Sequence, residues 1–203
     1  VHADFSDGVA AYKNQDFKQA LSIFESLAKR NDSRAQFALG LMYDNGEGVE
    51  QNKKEAFKWY TIGAKGGNAK AQYNLAMLLK TGEGITKNLN KASLWFDRAA
   101  TLGNKDAFEQ LTTLSEDGVP DAQFRVANRR RLGKGIDKDL IAATSLYKKA
   151  AESGHSKAQY NLAVSYSNGS GIDKDSKLAE QWYEKAANSG NAKAQYNLAL
   201  LLL

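Results

Sequence analysis

Residues 71–104 read AQYNLAMLLKTGEGITKNLNKASLWFDRAATLGN, one complete unit of a chain built by repetition. Ala71, Leu75, Ala76 and Leu79 fall on one face at helical spacing, and Gly82 follows where a helix end favours glycine. A polar turn runs from Gly84 to Asn90. A second helix then presents Ala92, Trp95, Phe96, Ala99 and Ala100 before stopping at Gly103-Asn104. Small residues in matching slots of the two helices allow close approach, and the aromatics fill the space between successive pairs.

Outward from this unit, the dipeptide Ala-Gln recurs at Ala35, Ala71, Ala122, Ala158 and Ala194, at intervals of 36, 51, 36 and 36. A period of that length predicts a solenoid of short helix pairs, each burying its apolar face against its neighbours. The skeleton returns in 35–68 (Leu39, Gly40, Tyr43, Gly46, Gly48, Ala56, Trp59, Tyr60) and in 158–191 (Leu162, Ala163, Tyr166, Gly169, Gly171, Ala179, Trp182, Tyr183). Residues 122–155 carry it as Val126, Ala127, Gly133, Gly135, Ala143, Leu146 and Tyr147. The Gly-x-Gly turns at 46–48, 82–84, 133–135 and 169–171 close a helix instead of linking a strand to one. They are therefore structural and not phosphate loops.

These residues resemble the Sel1-like repeat, a longer-turned relative of the tetratricopeptide repeat. The resemblance implies an all-α fold, a right-handed α–α superhelix of helix-turn-helix units. The expected organisation is a tetratricopeptide-like capping hairpin over 1–34, carried by Gly8, Tyr12, Ala20, Phe24 and Ala28, then two repeats over 35–104. A single odd helix with an elbow over 105–120 follows, then two repeats over 121–191 and the start of another over 192–203.

The 51-residue interval locates the break. Ala107 lies 36 residues after Ala71 and 15 before Ala122, and 15 is also the spacing from Ala56 to Ala71, Ala143 to Ala158 and Ala179 to Ala194. One helix over 105–117 therefore satisfies both registers. The halves either meet at an elbow near Gly118-Val119-Pro120 or absorb the deletion by local repacking. Pro120 suits a helix start, because its missing donor would be unpaired there anyway. Beyond it come Arg125, Arg129, Arg130 and Arg131, and most of the formal charge of +5 is concentrated in this region. Arg130 occupies the slot of Tyr43, Leu79 and Tyr166, which is expected to be buried. Burial of an unpaired guanidinium is costly, so Glu109, Glu116, Asp117 or Asp121 should pair with it, or the face should be open. The cluster is either solvated and internally paired or a site for an acidic partner.

One stripe on the first helices belongs to neither core nor random surface. Lys70, Tyr73, Asn74 and Met77 share a face, as do Lys157, Tyr160, Asn161 and Val164, and Lys193, Tyr196, Asn197 and Leu200. The equivalents are Arg34, Phe37, Ala38 and Leu41 in the first unit, and Asp121, Phe124, Arg125 and Asn128 in the fourth. The resemblance implies a concave stripe on which Asn74, Asn161 and Asn197 clamp a peptide backbone while Lys70, Lys157 and Lys193 hold carboxylates. The alternative is that the Asn and Tyr residues serve the repeat's own helix-to-helix hydrogen bonds.

The expected function is that of a non-catalytic scaffold or adaptor for another protein or peptide, with no cofactor and no metal. The alternative is a cell-wall or beta-lactam-directed hydrolase, as the resemblance implies for cysteine-rich relatives whose helix pairs are locked by disulfides. This chain has no cysteine, no Gly-x-Ser-x-Gly and two histidines, His2 and His155, of which His155 takes the turn slot of Asn68, Asn104 and Asn191. A sequence pI near 9.2 raises nucleic-acid binding, but outside the arginine cluster the charge is nearly balanced, so no nucleic-acid partner is expected. No apolar run approaches the roughly 20 residues of a transmembrane helix. Val1-His2-Ala3 before Asp4 fits the tail of a secretory signal, which would make the protein periplasmic or secreted, or else marks an arbitrary start with the protein cytoplasmic. Leu200 to Leu203 form an apolar edge, expected either to continue into further chain or to pair with a second copy.

Overall fold

The computed structural model describes residues 3–201. Val1, His2, Leu202 and Leu203, and with them part of the signal-tail and apolar-edge expectations, lie outside the described residues. Among those described there are twelve helices and no strand. They are α1 (Phe5–Lys13), α2 (Phe17–Lys29), α3 (Ser33–Asn45), α4 (Lys53–Lys65), α5 (Ala69–Thr81), α6 (Leu89–Thr101), α7 (Lys105–Glu116), α8 (Pro120–Leu132), α9 (Leu140–Glu152), α10 (Ser156–Asn168), α11 (Ser176–Asn188) and α12 (Ala192–Leu201). The chain divides into two compact units, 1–108 and 109–203, with the boundary inside α7; each helix packs on the next from α1 to α6 in the first and from α8 to α12 in the second. The fold is an all-α helix-pair solenoid.

The signature dipeptide has a physical cause. Ala35, Ala71, Ala122, Ala158 and Ala194 are wholly buried, because the preceding helix passes too close for a larger side chain. The adjoining glutamine reaches back to a carbonyl at that helix's C-terminal end, which also accepts the backbone N–H of the turn residue three positions on. Gln36 donates to Ala28 O at 3.3 Å, Gln72 to Ala64 O at 3.1 Å, Gln159 to Ala151 O at 3.2 Å and Gln195 to Ala187 O at 3.2 Å. Gln123 does the same to Ser115 O of α7 at 3.4 Å. At its other end α7 starts like a first helix, with Asn104 Oδ1 accepting from Ala107 N at 2.9 Å as Asn68 does from Ala71 N. Ala107 is buried as its sister alanines are.

Each long turn is fixed at both ends. Gly46, Gly82, Gly133 and Gly169 cap their helices in the left-handed conformation, with φ of 76°, 81°, 68° and 72°. The residue capping the following helix returns its N–H to the first helix: Asn52 to Tyr43 O at 2.8 Å, Asn88 to Leu79 O at 2.8 Å, Asp139 to Arg130 O at 2.9 Å and Asp175 to Tyr166 O at 3.0 Å. In three of the four turns the second glycine touches the helix that starts 31 residues earlier; Gly135 is the exception. A Cβ on Gly48 would lie 2.7 Å from Phe17 Cβ, and one on Gly84 would lie 2.5 Å from Lys53 Cβ. The turns are packing devices.

Burial at the arginine cluster differs by one position from the sequence expectation. The wholly or nearly buried slot holds Met42, Leu78, Ser165 and Arg129, so the enclosed guanidinium is that of Arg129, 7% exposed, while Arg130 is half-buried. The slot of Arg130 is buried as expected at Leu79 and Tyr166 but only half-buried at Tyr43 and at Arg130 itself.

Candidate protein-binding surface

Four second helices place one aromatic at the centre of each repeat interface. Tyr60, Phe96 and Tyr147 are 0–1% exposed and Tyr183 is 6% exposed. A buried phenol needs a partner for its hydroxyl, and the partner comes from the next first helix, 14 residues on. Asn74 faces the Tyr60 hydroxyl, Asn161 that of Tyr147 and Asn197 that of Tyr183, each easing the ionisation of the phenol it faces. Tyr60 also donates to Asp44 Oδ2 at 3.1 Å, and Tyr147 donates to Asn128 Oδ1 at 2.6 Å while accepting from Arg131 Nε at 3.2 Å. Burial first, and the Asp44 carboxylate second, push the Tyr60 hydroxyl far above the usual phenol range. Burial likewise raises Tyr147 and Tyr183.

The pairing follows the sequence. Where the second-helix residue is Tyr60, Tyr147 or Tyr183, the residue 14 positions on is Asn; after Phe24 it is Ala38, and after Phe96 it is Gln110. Asn161 Nδ2 also lies 3.5 Å from Asn128 Oδ1, and each stripe carboxamide has further donor and acceptor capacity.

Lys70, Lys157 and Lys193 are exposed, Tyr73 and Tyr160 are half-buried, and Tyr196 is 66% exposed. The second unit brings Lys157, Tyr160, Asn161 and Lys193 together around a groove of about 400 Å³, with Phe124 and the N-terminus of α12 on its other side. Asn197 approaches Tyr160 Oη at 3.5 Å. A second groove of about 390 Å³ joins Tyr160 and Asn161 to Arg131, Lys138 and Asn168. In the first unit Tyr73 packs on Phe96 with ring centroids 5.8 Å apart. Lys70 there faces a different groove, of about 500 Å³, lined mostly by carbon.

The arginine cluster is largely turned on its own chain. Arg125 Nε meets Asp121 Oδ2 at 2.5 Å, Arg129 Nη1 donates to Lys134 O at 3.3 Å, and Arg131 is held on Tyr147. His155 caps α10, its Nδ1 accepting from Ala158 N at 3.2 Å, so the proton sits on Nε2, which faces Asp121 Oδ1 at 3.4 Å. Burial works to raise the Asp121 carboxyl, but hydrogen bonds from His155 and Arg125 outweigh it and hold the group below the ordinary carboxylate value. The stabilisation is therefore complete above about pH 4 and is lost as pH falls through the depressed folded value. Asp121→Asn should remove about 1–2 kcal/mol at neutral pH and flatten the acid limb of a urea-midpoint titration. Parallel acid limbs for the two proteins would refute this assignment.

Sequence reasoning named the stripe but missed two features. The 14-residue relation between Tyr and Asn needed only subtraction. The apolar character of the first groove was partly visible in Phe37, Ala38 and Leu41, but Phe5 and Val9 join it only through folding.

Comparison with known proteins agrees with this geometry. A family model described as Sel1 repeat matches residues 33–68, 69–104, 120–155, 156–191 and 192–203. A Sel1 repeat protein from Oxalobacter formigenes superposes with a TM-score of 0.53 at 30% identity, covering 96% of this chain and 86% of that one. A protective antigen of uropathogenic Escherichia coli displaying an SLR fold gives 0.52 at 27% identity, covering 97% of this chain and 48% of the other. The "Putative beta-lactamase HcpC" of Helicobacter pylori is 42% identical over 48 residues, 24% of this chain and 17% of that protein. The "Exopolysaccharide production negative regulator" of Rhizobium leguminosarum is 38% identical over 56 residues, 28% of this chain and 21% of that protein. The chain thus spans only about a fifth of these two curated relatives.

Proposed function

Because the chain belongs to the Sel1 repeat family, whose repeats generally mediate contacts between proteins, we propose that it is a non-catalytic adaptor that holds a partner polypeptide on its first-helix stripe. The observation that carries this reading is the second unit's groove, where Lys157, Tyr160, Asn161 and Lys193 converge on a space open to solvent. Asparagine can donate to and accept from a peptide group, tyrosine offers stackable area with a polar tip, and lysine meets a carboxylate. Asn74, Asn161 and Asn197 use their remaining amide capacity as backbone clamps, with Lys70, Lys157 and Lys193 as charge contacts. Self-association through α12 is a further part of the proposal, since Tyr196 and Leu200 are exposed there.

An envelope-side setting in a bacterium, in the periplasm or outside the cell, belongs to the same reading, supported by the name of the Rhizobium relative. No helix among the described residues is long and apolar enough to cross a membrane. The test is affinity capture from native extract with wild type and with Lys157→Glu plus Tyr160→Ala as baits, both first matched for thermal stability. Recovery of the same proteins by both would sink the stripe. Steady turnover of a chromogenic lactam, abolished by one polar substitution, would replace the adaptor with a hydrolase.

A further inference from the structure

The Tyr–Asn ladder lapses at Phe24 and Ala38, as it does again at Phe96 and Gln110. Phe24 carries no hydroxyl, so the opposing position needs no amide, and the small alanine leaves open the space that Asn fills elsewhere. The result is the groove of about 500 Å³ whose walls are Phe5, Val9, Phe24, Phe37, Ala38 and Leu41. Phe24 is 1% exposed at its floor, whereas Phe5, Val9, Phe37 and Leu41 are only half-buried and face the opening. Among the described residues, the charged ones lining it are Arg34 and Lys70, both cations, and no carboxylate lines it. Arg34 is fixed in place, with Nε 3.0 Å and Nη2 2.7 Å from the two Asp32 oxygens and its guanidinium 4.6 Å over the Phe5 ring. Lys70 is exposed. Asn68 also lines the groove; its Oδ1 is committed to Ala71 N at 2.9 Å, which leaves the amide nitrogen to donate.

From this arrangement we infer that the first unit's groove anchors a bulky apolar side chain of an extended peptide, with an acidic residue beside it held by Lys70. The inference rests on the adaptor reading and assigns it a specificity. The carbon-lined floor takes the side chain, the Asn68 amide takes a peptide carbonyl, and the cationic rim takes the carboxylate. A fatty acyl chain with a carboxylate would satisfy the floor and the rim but leave the amide donor without use, so the peptide fits more of what is present. Energetically, one well-enclosed anchor dominates such a contact, and the rim sets which sequence is accepted.

The test is fluorescence anisotropy on the full chain with three fluorescein-labelled, alanine-based peptides. The first carries Phe with a neighbouring Glu, the second has that Phe replaced by Ala, and the third has the Glu replaced by Lys. The Phe/Glu peptide should bind, and loss of its Phe should weaken binding about thirtyfold, as for a central anchor. Ala38→Trp, which fills the groove, should do the same with an unchanged thermal midpoint. Lys70→Glu should weaken the Phe/Glu peptide and strengthen the Phe/Lys peptide, each about tenfold. That charge swap could not arise from misfolding. Indifference to the Phe or the absence of the swap would overturn the inference. Peptide binding abolished by Lys157→Glu plus Tyr160→Ala but untouched by both groove variants would remove this anchor and leave the adaptor reading standing.

Discussion

Gly171→Ala is expected to cost about 2–5 kcal/mol of stability, whereas Gly135→Ala, at the same position of the preceding repeat, should cost only about 1–2 kcal/mol. Both glycines have left-handed backbones, with φ of 71° and 69°, so both variants carry the roughly 1–2 kcal/mol strain of an L side chain in that region. What separates them is space. A Cβ on Gly171 would overlap the carbonyl carbon and oxygen of Leu140 and lie 2.9 Å from Ile141 N. Those are backbone atoms at the start of α9 and cannot swing aside, so the helix must move, at the roughly 1–3 kcal/mol typical of overpacking. A Cβ on Gly135 would meet only Arg129 Nη1, at 3.6 Å, the far end of a flexible side chain. Gly154→Ala is a second control, with φ of 85° and nothing within 4 Å. Urea denaturation followed by helical circular dichroism compares the three. Equal midpoint shifts would mean that conformation alone requires these glycines and that the contact between turns contributes little.

The same comparison explains how much of the fold could be read in advance. Period, helix boundaries and turns were legible because each depends on short-range chemistry that recurs: a buried alanine, a glutamine reaching back eight residues, an Asn or Asp cap, a left-handed glycine. Pro120 opens α8 as the missing donor suggested, and its N-cap Val119 offers no side-chain bond. The identity of the buried arginine was not legible. Arg129, Arg130 and Arg131 are adjacent, and only the rotation of α8 against its neighbours decides which one turns inward. The stripe was legible as a face but not in its chemistry. Asn74 and Asn161 look alike whether they await a peptide or satisfy a phenol, and only the position of the preceding helix makes the second role visible. The first groove was least legible of all. Phe37 belongs to the recurring stripe, but Phe5, 32 residues away in the chain, does not, and only folding brings the two together.

Removing the Tyr60 ring and removing its hydroxyl should have separable costs, and the difference measures the ladder. Tyr60→Ala deletes a wholly buried aromatic that Gly40 is shaped to accept, so a cavity penalty of about 3–5 kcal/mol is expected. Tyr60→Phe keeps the ring, including its packing on Phe37 at 6.1 Å, and loses only the bond to Asp44 and the polar contact with Asn74, at about 1–2 kcal/mol. Asp44 keeps Lys53 Nζ at 2.5 Å, so its carboxylate is not stranded. Asn74→Ala should cost about 1 kcal/mol, because the hydroxyl then retains Asp44 alone. The decisive quantity is the double variant. Phe with Ala is the combination the chain already uses at Phe24 and Ala38, so Tyr60→Phe plus Asn74→Ala should be less destabilised than the two singles together, with a coupling of about 1 kcal/mol. Strict additivity in urea titrations of the four proteins would show that Asn74 is not held there by the phenol, and its place on the stripe would then need a ligand to account for it. Strong coupling would require every binding experiment on Asn74, Asn161 or Asn197 to be corrected for stability, since truncating any of them loosens the interface that positions its neighbours Tyr73, Tyr160 and Tyr196.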